Sequence, residues 1–210
     1  MLIEIKSKMQ GKFTIVTKEY RQALHLLSVA FRERDIDYAI IGGGAVQLHI
    51  GSVVDAIELE KHLRRTGDID VAVNADLSEM VEMFNELALS HKRVSNLAFG
   101  TAIINGVYIS YFVPRELKGF ENYHDLVLRE SSPIEIKIRN TPLKVQVENP
   151  EMIVAAKLTG DLKLKDVFDI KQLYSILNPR GKFNEKKLLE LLQQFGREDK
   201  IQTFYSIVEA

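Results

Sequence analysis

From Thr17 to Arg34 the apolar residues Tyr20, Ala23, Leu24, Leu27, Val29, Ala30 and Phe31 recur at helical spacing, which predicts a helix with Thr17 as N-cap. Asp37 to Ile41 is a short apolar run stopped by Gly42-Gly43-Gly44, and Ala45 to Ile50 opens a helix behind it. Strand, glycine turn and helix therefore follow one another. Gly51 to Leu63 carries little apolar pattern and reads as a surface excursion. Thr66 to Val73 then alternates, with Ile69, Val71 and Val73 directed inward, as a strand buried on one face does. Ser78 to Leu89 reads as an amphipathic helix capped by Ser78, with Met80, Val81, Phe84, Leu87 and Ala88 on its apolar side.

Two apolar runs, Ala98 to Ile104 and Val107 to Val113, are joined by Asn105-Gly106, a strong hairpin signal. Ile134 to Ile138 and Leu143 to Val147 form a second pair around Asn140-Thr141-Pro142. From Asn149 the pattern turns helical: Asn149 caps, Pro150 takes the first helical position, and Met152 to Leu158 supplies the apolar side. Asp166 to Leu177, Asn184 to Phe195 and Glu198 to Val208 are three further helices, with Asn178-Pro179-Arg180-Gly181 as a breaker. The expected class is α/β (α+β), a mixed β-sheet core flanked by helices over residues 1–148, followed by a helical C-terminal part over 149–210 that packs on it.

Composition narrows the function. The 210 residues carry 28 Lys+Arg against 29 Asp+Glu, a net charge of -1, and 46% are hydrophobic. That balance suits a folded domain and argues against a surface built wholly for polyanions, although local basic patches stay open. Without cysteine there is no disulfide, thiolate metal site or cysteine nucleophile. With no apolar run of membrane-spanning length and no leader-like N-terminus, the expectation is a cytoplasmic protein without a membrane partner.

The chemistry concentrates at two places. Asp68 and Asp70 stand two apart on a strand, so their carboxylates leave on one face while Ile69 points inward. Two parallel carboxylates repel unless a cation lies between them, and hard oxygen ligands suit Mg²⁺ or Mn²⁺. Gly42, Gly43 and Gly44 let the backbone approach an anion, with the N–H groups of the following helix aimed at phosphate oxygens. Taken singly, an acidic strand edge is often a solvated face and three glycines are often a turn. In this order they point to a phosphate and metal site.

These residues resemble the polymerase β-like nucleotidyltransferases, in which a hydrophobic strand ends in Gly-Gly or Gly-Ser and a later acidic strand has the form D-x-D. Ile40-Ile41-Gly42-Gly43-Gly44-Ala45 and Asp68-Ile69-Asp70-Val71 match. More narrowly the chain is similar to the AbiEii-type toxins of abortive-infection and toxin-antitoxin systems, where R-x-T-x-D-I-D is typical; here it is Arg64-Arg65-Thr66-Gly67-Asp68-Ile69-Asp70. Lys157, Lys163, Lys165, Asp166 and Asp169 match the branch's later lysine, basic residue and K-D-x-x-D segment, with Lys163 where arginine is common. The likeness runs from about Asp37 to Leu177.

What the resemblance implies is a nucleotidyltransferase-like core. It would use Mg (or Mn) on Asp68 and Asp70, with Lys157 and Asp166 as further catalytic residues. Gly42, Gly43, Gly44, Arg64, Thr66 and Lys157 would contact the nucleotide. The partners implied are an NTP, an RNA (tRNA in some members) or protein acceptor, and a cognate antitoxin. One departure stands against it: active members place a third carboxylate on the strand Val107–Val113, where this chain has Ser110. The alternative is therefore an inactive nucleotide-binding module or sensor on the same fold. Lys157 and Asp161 are also spaced as an ordinary helix-surface pair, and Asp166 and Asp169 as solvated acids.

Other features carry less. His25, His49, His62, His91 and His124 show no metal-ligand spacing. Lys61, His62, Arg64 and Arg65, and separately Lys182, Lys186 and Lys187, are basic groups able to meet RNA, but solvated charge is the commoner outcome. Tyr108, Tyr111 and Phe112 alternate, so at least one of them is core. A dinucleotide-binding fingerprint fails at Gln47, and no Gly-Lys-Ser/Thr of a Walker A loop occurs.

Overall fold

Alternating apolar strands need cover on their apolar face, and helices supply it here. The computed structural model describes residues 15, 17–55, 59, 61–62, 64–87, 90–93, 99–113, 121–138 and 141–209. The strands are β1 (Tyr38–Ile41), β2 (Asp68–Val73), β3 (Ser90–Arg93), β4 (Phe99–Ile104), β5 (Val107–Phe112), β6 (Ser132–Ile138) and β7 (Thr141–Val147). They form one seven-stranded sheet in the order β3-β4-β5-β2-β1-β7-β6. β1 runs antiparallel to β2 but parallel to β7, and β2 runs parallel to β5, so the sheet is mixed. The helices are α1 (Lys18–Glu33), α2 (Gly42–Gly51), α3 (Leu77–Glu86), α4 (Glu121–Glu130), α5 (Pro150–Thr159), α6 (Leu164–Leu177), α7 (Glu185–Gln194) and α8 (Ile201–Val208).

Burial follows the period-two reading of the acidic strand: Ile69, Val71 and Val73 are wholly buried, while Asp68 and Asp70 are half-buried. Asn105 and Gly106 both take positive φ, 52° and 79°, as a two-residue hairpin loop requires, and β4 and β5 pair from Ile104↔Val107 outward. Helix α5 starts as expected: the Asn149 side chain accepts the Met152 N–H at 2.8 Å and Pro150 follows at the first helical position. It packs on α2, α6 and α7, and one continuous apolar core runs from the sheet into these C-terminal helices.

Several boundaries differ from expectation. α2 starts at Gly42 rather than Ala45, so the glycines are its first turn. α3 is capped by Asp76, not Ser78; the Asp76 carboxylate accepts the N–H groups of Ser78 and Glu79, and Glu79 returns a bond to the Asp76 N–H at 2.7 Å. Thr17 is the N-cap of α1 as expected, in extended conformation, although its side chain makes no cap bond. Thr141 and Pro142 belong to β7, paired with Ile138 and Lys137, so the second hairpin closes before them. The excursion after α2 is not wholly superficial, because Leu59 is buried in the core. Residues 98 and 88–89 of the expected elements lie outside the described residues. α4 and the short β3 were absent from the sequence reading. Leu126, Val127 and Leu128 are consecutive rather than helically spaced, and the other inward residues of α4 are Tyr123 and His124.

Candidate active site

The sheet brings one row of residues to a common level. Asp70 on β2 pairs with Ile41 on β1 on one side and with Ser110 on β5 on the other. Ile40 pairs with Val147 on β7, and the Glu148 N–H donates to the Ile40 carbonyl at 2.9 Å, so Glu148 stands beside Ile41. The row across four strands thus reads Glu148, Ile41, Asp70, Ser110.

Above this row β1 ends and the glycine turn begins. Gly42 has φ +63°, and a side chain there would meet Asp70 Oδ2 at 3.3 Å. At Gly43 a Cβ would lie 2.7 Å from Arg64 Nη2, and at Gly44 one would lie 2.7 Å from the Tyr20 hydroxyl. Glycine is needed because an aspartate, an arginine and a tyrosine close on three successive residues. The first turn of α2 also carries N–H groups without intrahelical acceptors and the positive end of the helix dipole. An anion held at Gly43 would meet the Arg64 guanidinium directly.

Helix α6 fixes that guanidinium. Asp166 and Asp169 lie three residues apart, hence on one face. Asp169 accepts Arg64 Nε and Nη2 in a two-pronged bond, both at 2.7 Å, and its side chain is only 1% exposed. Lys157 Nζ, near the end of α5, bonds Asp169 Oδ2 and Asp166 Oδ1, each at 2.8 Å. Asp166 also accepts the Lys163 N–H at 3.2 Å and so caps α6. Two bonds use two of the three N–H donors of Lys157, and its side chain keeps 10% exposure toward the cavity it lines. Its partners are Asp166 and Asp169, not Asp161. His62 Nδ1 lies 2.8 Å from Gln172 Oε1 and ties the segment before β2 to the same helix.

Thr66 is buried, and its hydroxyl lies 3.3 Å from both the main-chain oxygen and Oδ1 of Asp68, so it is turned toward the acid pair. Ser110 is buried at 2% exposure in register with Asp70. Tyr108 and Tyr111 are buried, whereas Phe112 is half-buried and lines the cavity. Lys186 pairs with Glu190 and Lys187 with Glu130. Gln47, where the dinucleotide fingerprint fails, is buried and holds the Ile15 N–H and the Arg64 carbonyl.

A cavity of about 260 Å³ opens beside Gly42 and Asp70, walled also by Phe112, Tyr123, Glu148, Lys157 and Asp166. Glu148 is 1% exposed; its carboxylate accepts the Gly42 N–H at 3.3 Å and the Tyr123 hydroxyl at 2.5 Å. Burial pushes its pKa up to about 7 against the opposing pull of those two bonds and of Lys157. Tyr20 is fully buried, and its hydroxyl has no hydrogen-bond partner among the described residues. Burial, then the charges of Asp70 and Asp68, raise its proton affinity.

Among the described residues no three His, Cys, Asp or Glu side chains cluster closely enough to hold a metal ion by themselves. Asp68 and Asp70 still offer two hard carboxylates on one strand face beside an anion cradle. That donor set fits a divalent cation that takes its other ligands from water and phosphate oxygens. Nothing in the pattern of the chain marks Glu148 or Tyr123 for this site, and Tyr20 is marked only as an apolar residue of α1. Glu148 follows the last inward residue of a strand and precedes a helix cap, so no periodicity marks it. Asp169 was visible only as part of a spaced motif.

No protein-family model matches the chain, and a search of curated proteins finds no match. Solved structures do match. A nucleotidyltransferase-like antigenic protein from Paracoccidioides brasiliensis superposes with a TM-score of 0.54 at 19% identity, over 92% of this chain and 94% of that one. ANT(2")-Ia in complex with adenylyl-2"-tobramycin superposes with a TM-score of 0.52 at 17% identity, over 85% of this chain and 97% of that one. At such identities the likeness establishes the fold. The chain has the nucleotidyltransferase-like α/β fold, a mixed sheet with flanking helices. Among the described residues no helix is long and apolar enough to cross a membrane.

Proposed function

We propose that the protein transfers a nucleotidyl group from an NTP to a hydroxyl of an RNA, tRNA included, or of a protein. The observation that carries this is the pair of contacts on successive glycines: Arg64 against Gly43 and Asp70 against Gly42. A cation for phosphate and a carboxylate for metal thus stand one residue apart. Gly43 and Gly44 N–H groups, Arg64 and the third N–H of Lys157 bind triphosphate oxygens, and Asp169 holds both cations in place. Asp68 and Asp70 would hold Mg²⁺ or Mn²⁺, which when bound neutralises charge on the triphosphate and the leaving pyrophosphate. Asp166 keeps Lys157 directed into the cavity.

The Arg64-Arg65-Thr66-Gly67-Asp68-Ile69-Asp70 string and the spacing of Lys157, Asp166 and Asp169 favour the AbiEii-type branch, hence a toxin in a cytoplasmic toxin-antitoxin or abortive-infection system with a cognate antitoxin. A second reading rests on Ser110. With serine in register beside Asp70 where active relatives keep an acid, the protein would bind a nucleotide without transferring it.

One assay separates the two. Each labelled NTP is incubated with the protein, Mg²⁺ or Mn²⁺ and total RNA, beside Asp68→Asn and Asp70→Asn variants. Transfer requires label on RNA or protein that depends on the metal and disappears in both variants. Metal-dependent binding without label favours the sensor, and equal NTP affinity in all three proteins with and without metal excludes both.

A further inference from the structure

The row across the sheet has an acid missing on one side of Asp70 and an acid present on the other. Ser110 occupies the β5 side. On the far side of β1 stands Glu148, level with Asp70 and in the wall of the same cavity. Two strand spacings separate them, about 10 Å between backbones. That distance suits a group that meets the acceptor better than one that shares the cation of Asp70.

We infer that Glu148 is the proton acceptor for the attacking hydroxyl, a role that its place in the cavity wall level with Asp70 gives it. The inference rests on the transfer reading above. The acceptor's O–H proton passes to a Glu148 carboxylate oxygen as the hydroxyl oxygen bonds to the α-phosphorus. The bond from that phosphorus to the bridging oxygen breaks, pyrophosphate leaves, and the proton is later released to solvent. Each Glu148 oxygen accepts one bond, from Gly42 or from Tyr123, and keeps a second lone pair for this transfer.

The fixed bonds also aim the group. The Gly42 N–H sets Glu148 against the turn that is to hold the triphosphate, and the Tyr123 hydroxyl fixes the other oxygen. The charged and titratable groups around it are Tyr123 from α4, Lys157 from α5, Asp70 from β2, Asp161 and Asp166 at the cavity wall, and His49, whose Nε2 lies 2.7 Å from the Glu148 carbonyl. A proton affinity raised by burial to near neutrality is what a general base working at physiological pH needs.

The test compares the full-length parent with Glu148→Gln and Tyr123→Phe. Two quantities are read: the affinity for α,β-methylene analogues of the four NTPs with Mg²⁺, and the rate of labelling of total RNA or protein between pH 5 and 9. Glu148→Gln should bind the analogue within about twofold of the parent and lose about 10²- to 10⁴-fold in transfer rate, together with the rising limb of the pH profile. Tyr123→Phe, which removes a donor to the ionised carboxylate, should stay active with that limb moved to higher pH. Transfer by Glu148→Gln within threefold of the parent, an unmoved limb in Tyr123→Phe, or loss of analogue binding in step with transfer would each overturn the assignment. A parent that binds every analogue but labels nothing would instead overturn the transfer reading, and the assignment with it.

Discussion

Two pairs of aspartates meet at this site in opposite states. Asp68 and Asp70 on β2 are half-buried at the mouth of the glycine turn, whereas Asp169 on α6 is sealed and spends its charge on Arg64 and Lys157, with Asp166 sharing the latter. The difference teaches that counting carboxylates near a site says little about which ones act on a ligand. The α6 pair converts two long, mobile cations into fixed ones; the β2 pair faces the glycine turn instead.

The sharpest way to break this contrast is to remove the sealed acid. Asp169→Ala leaves a half-buried guanidinium and ammonium short of a carboxylate, and should destabilise the fold by about 3 kcal/mol in urea unfolding. A loss below about 1 kcal/mol would mean that Asp169 does not hold the two cations in place.

Glu148 sharpens the contrast, being a buried acid that bonds no cation among the described residues. Its folded pKa of about 7 stands above the ordinary 4.5. The folded protein therefore holds this proton through a window in which the unfolded chain has lost it. Its contribution is greatest at the acid end and falls by about 3 kcal/mol as pH rises from 4.5 through 7. Glu148→Gln should remove that slope in unfolding measurements across the same range. His49, pushed down to about 4 by burial, contributes the opposite slope, so the difference between variant and parent isolates Glu148.

Smaller effects separate the walls of the glycine turn. Gly44→Ala places a methyl group 2.7 Å from the Tyr20 hydroxyl and 3.2 Å from Ile40 Cγ2, both in packed core, at a cost of about 1–3 kcal/mol in thermal or urea unfolding. Gly43→Ala meets the movable end of Arg64 instead and should weaken NTP binding more than stability. Smallest of all is Asp166→Asn. Burial raises the proton affinity of Asp166, but Lys157 more than reverses it, leaving a pKa below 3.8. Its stabilisation is present above that value and lost as pH falls below it, and the variant should cost less than about 1 kcal/mol at neutral pH.

Much of the sheet is legible in the chain because its strands carry strong local signals: alternation at Ile69, Val71 and Val73, and a turn at Asn105-Gly106 that only a hairpin uses. The caps are less so. Asp76 and Ser78 are both good cap residues, and the choice between them falls to Glu79, which completes the reciprocal bond only with Asp76. α4 hides because its aliphatic residues, Leu126 to Leu128, are consecutive, and a half-buried tyrosine and a buried histidine fill the rest of its inward face. At the site, Gly42 to Gly44, Asp68 and Asp70 stand out by residue type and order. Glu148 becomes visible only when β7 is laid beside β1, a pairing between residues more than a hundred positions apart.

The shared grip of Asp169 on Arg64 and Lys157 reaches beyond one molecule. A lineage that loses the acid at position 169 takes a carboxylate from two half-buried positive charges at once, and no single compensating substitution repairs both. Across descendants of this chain, positions 64, 157 and 169 should therefore change together or stay as they are, even while the exposed lysines at 163 and 165 drift freely.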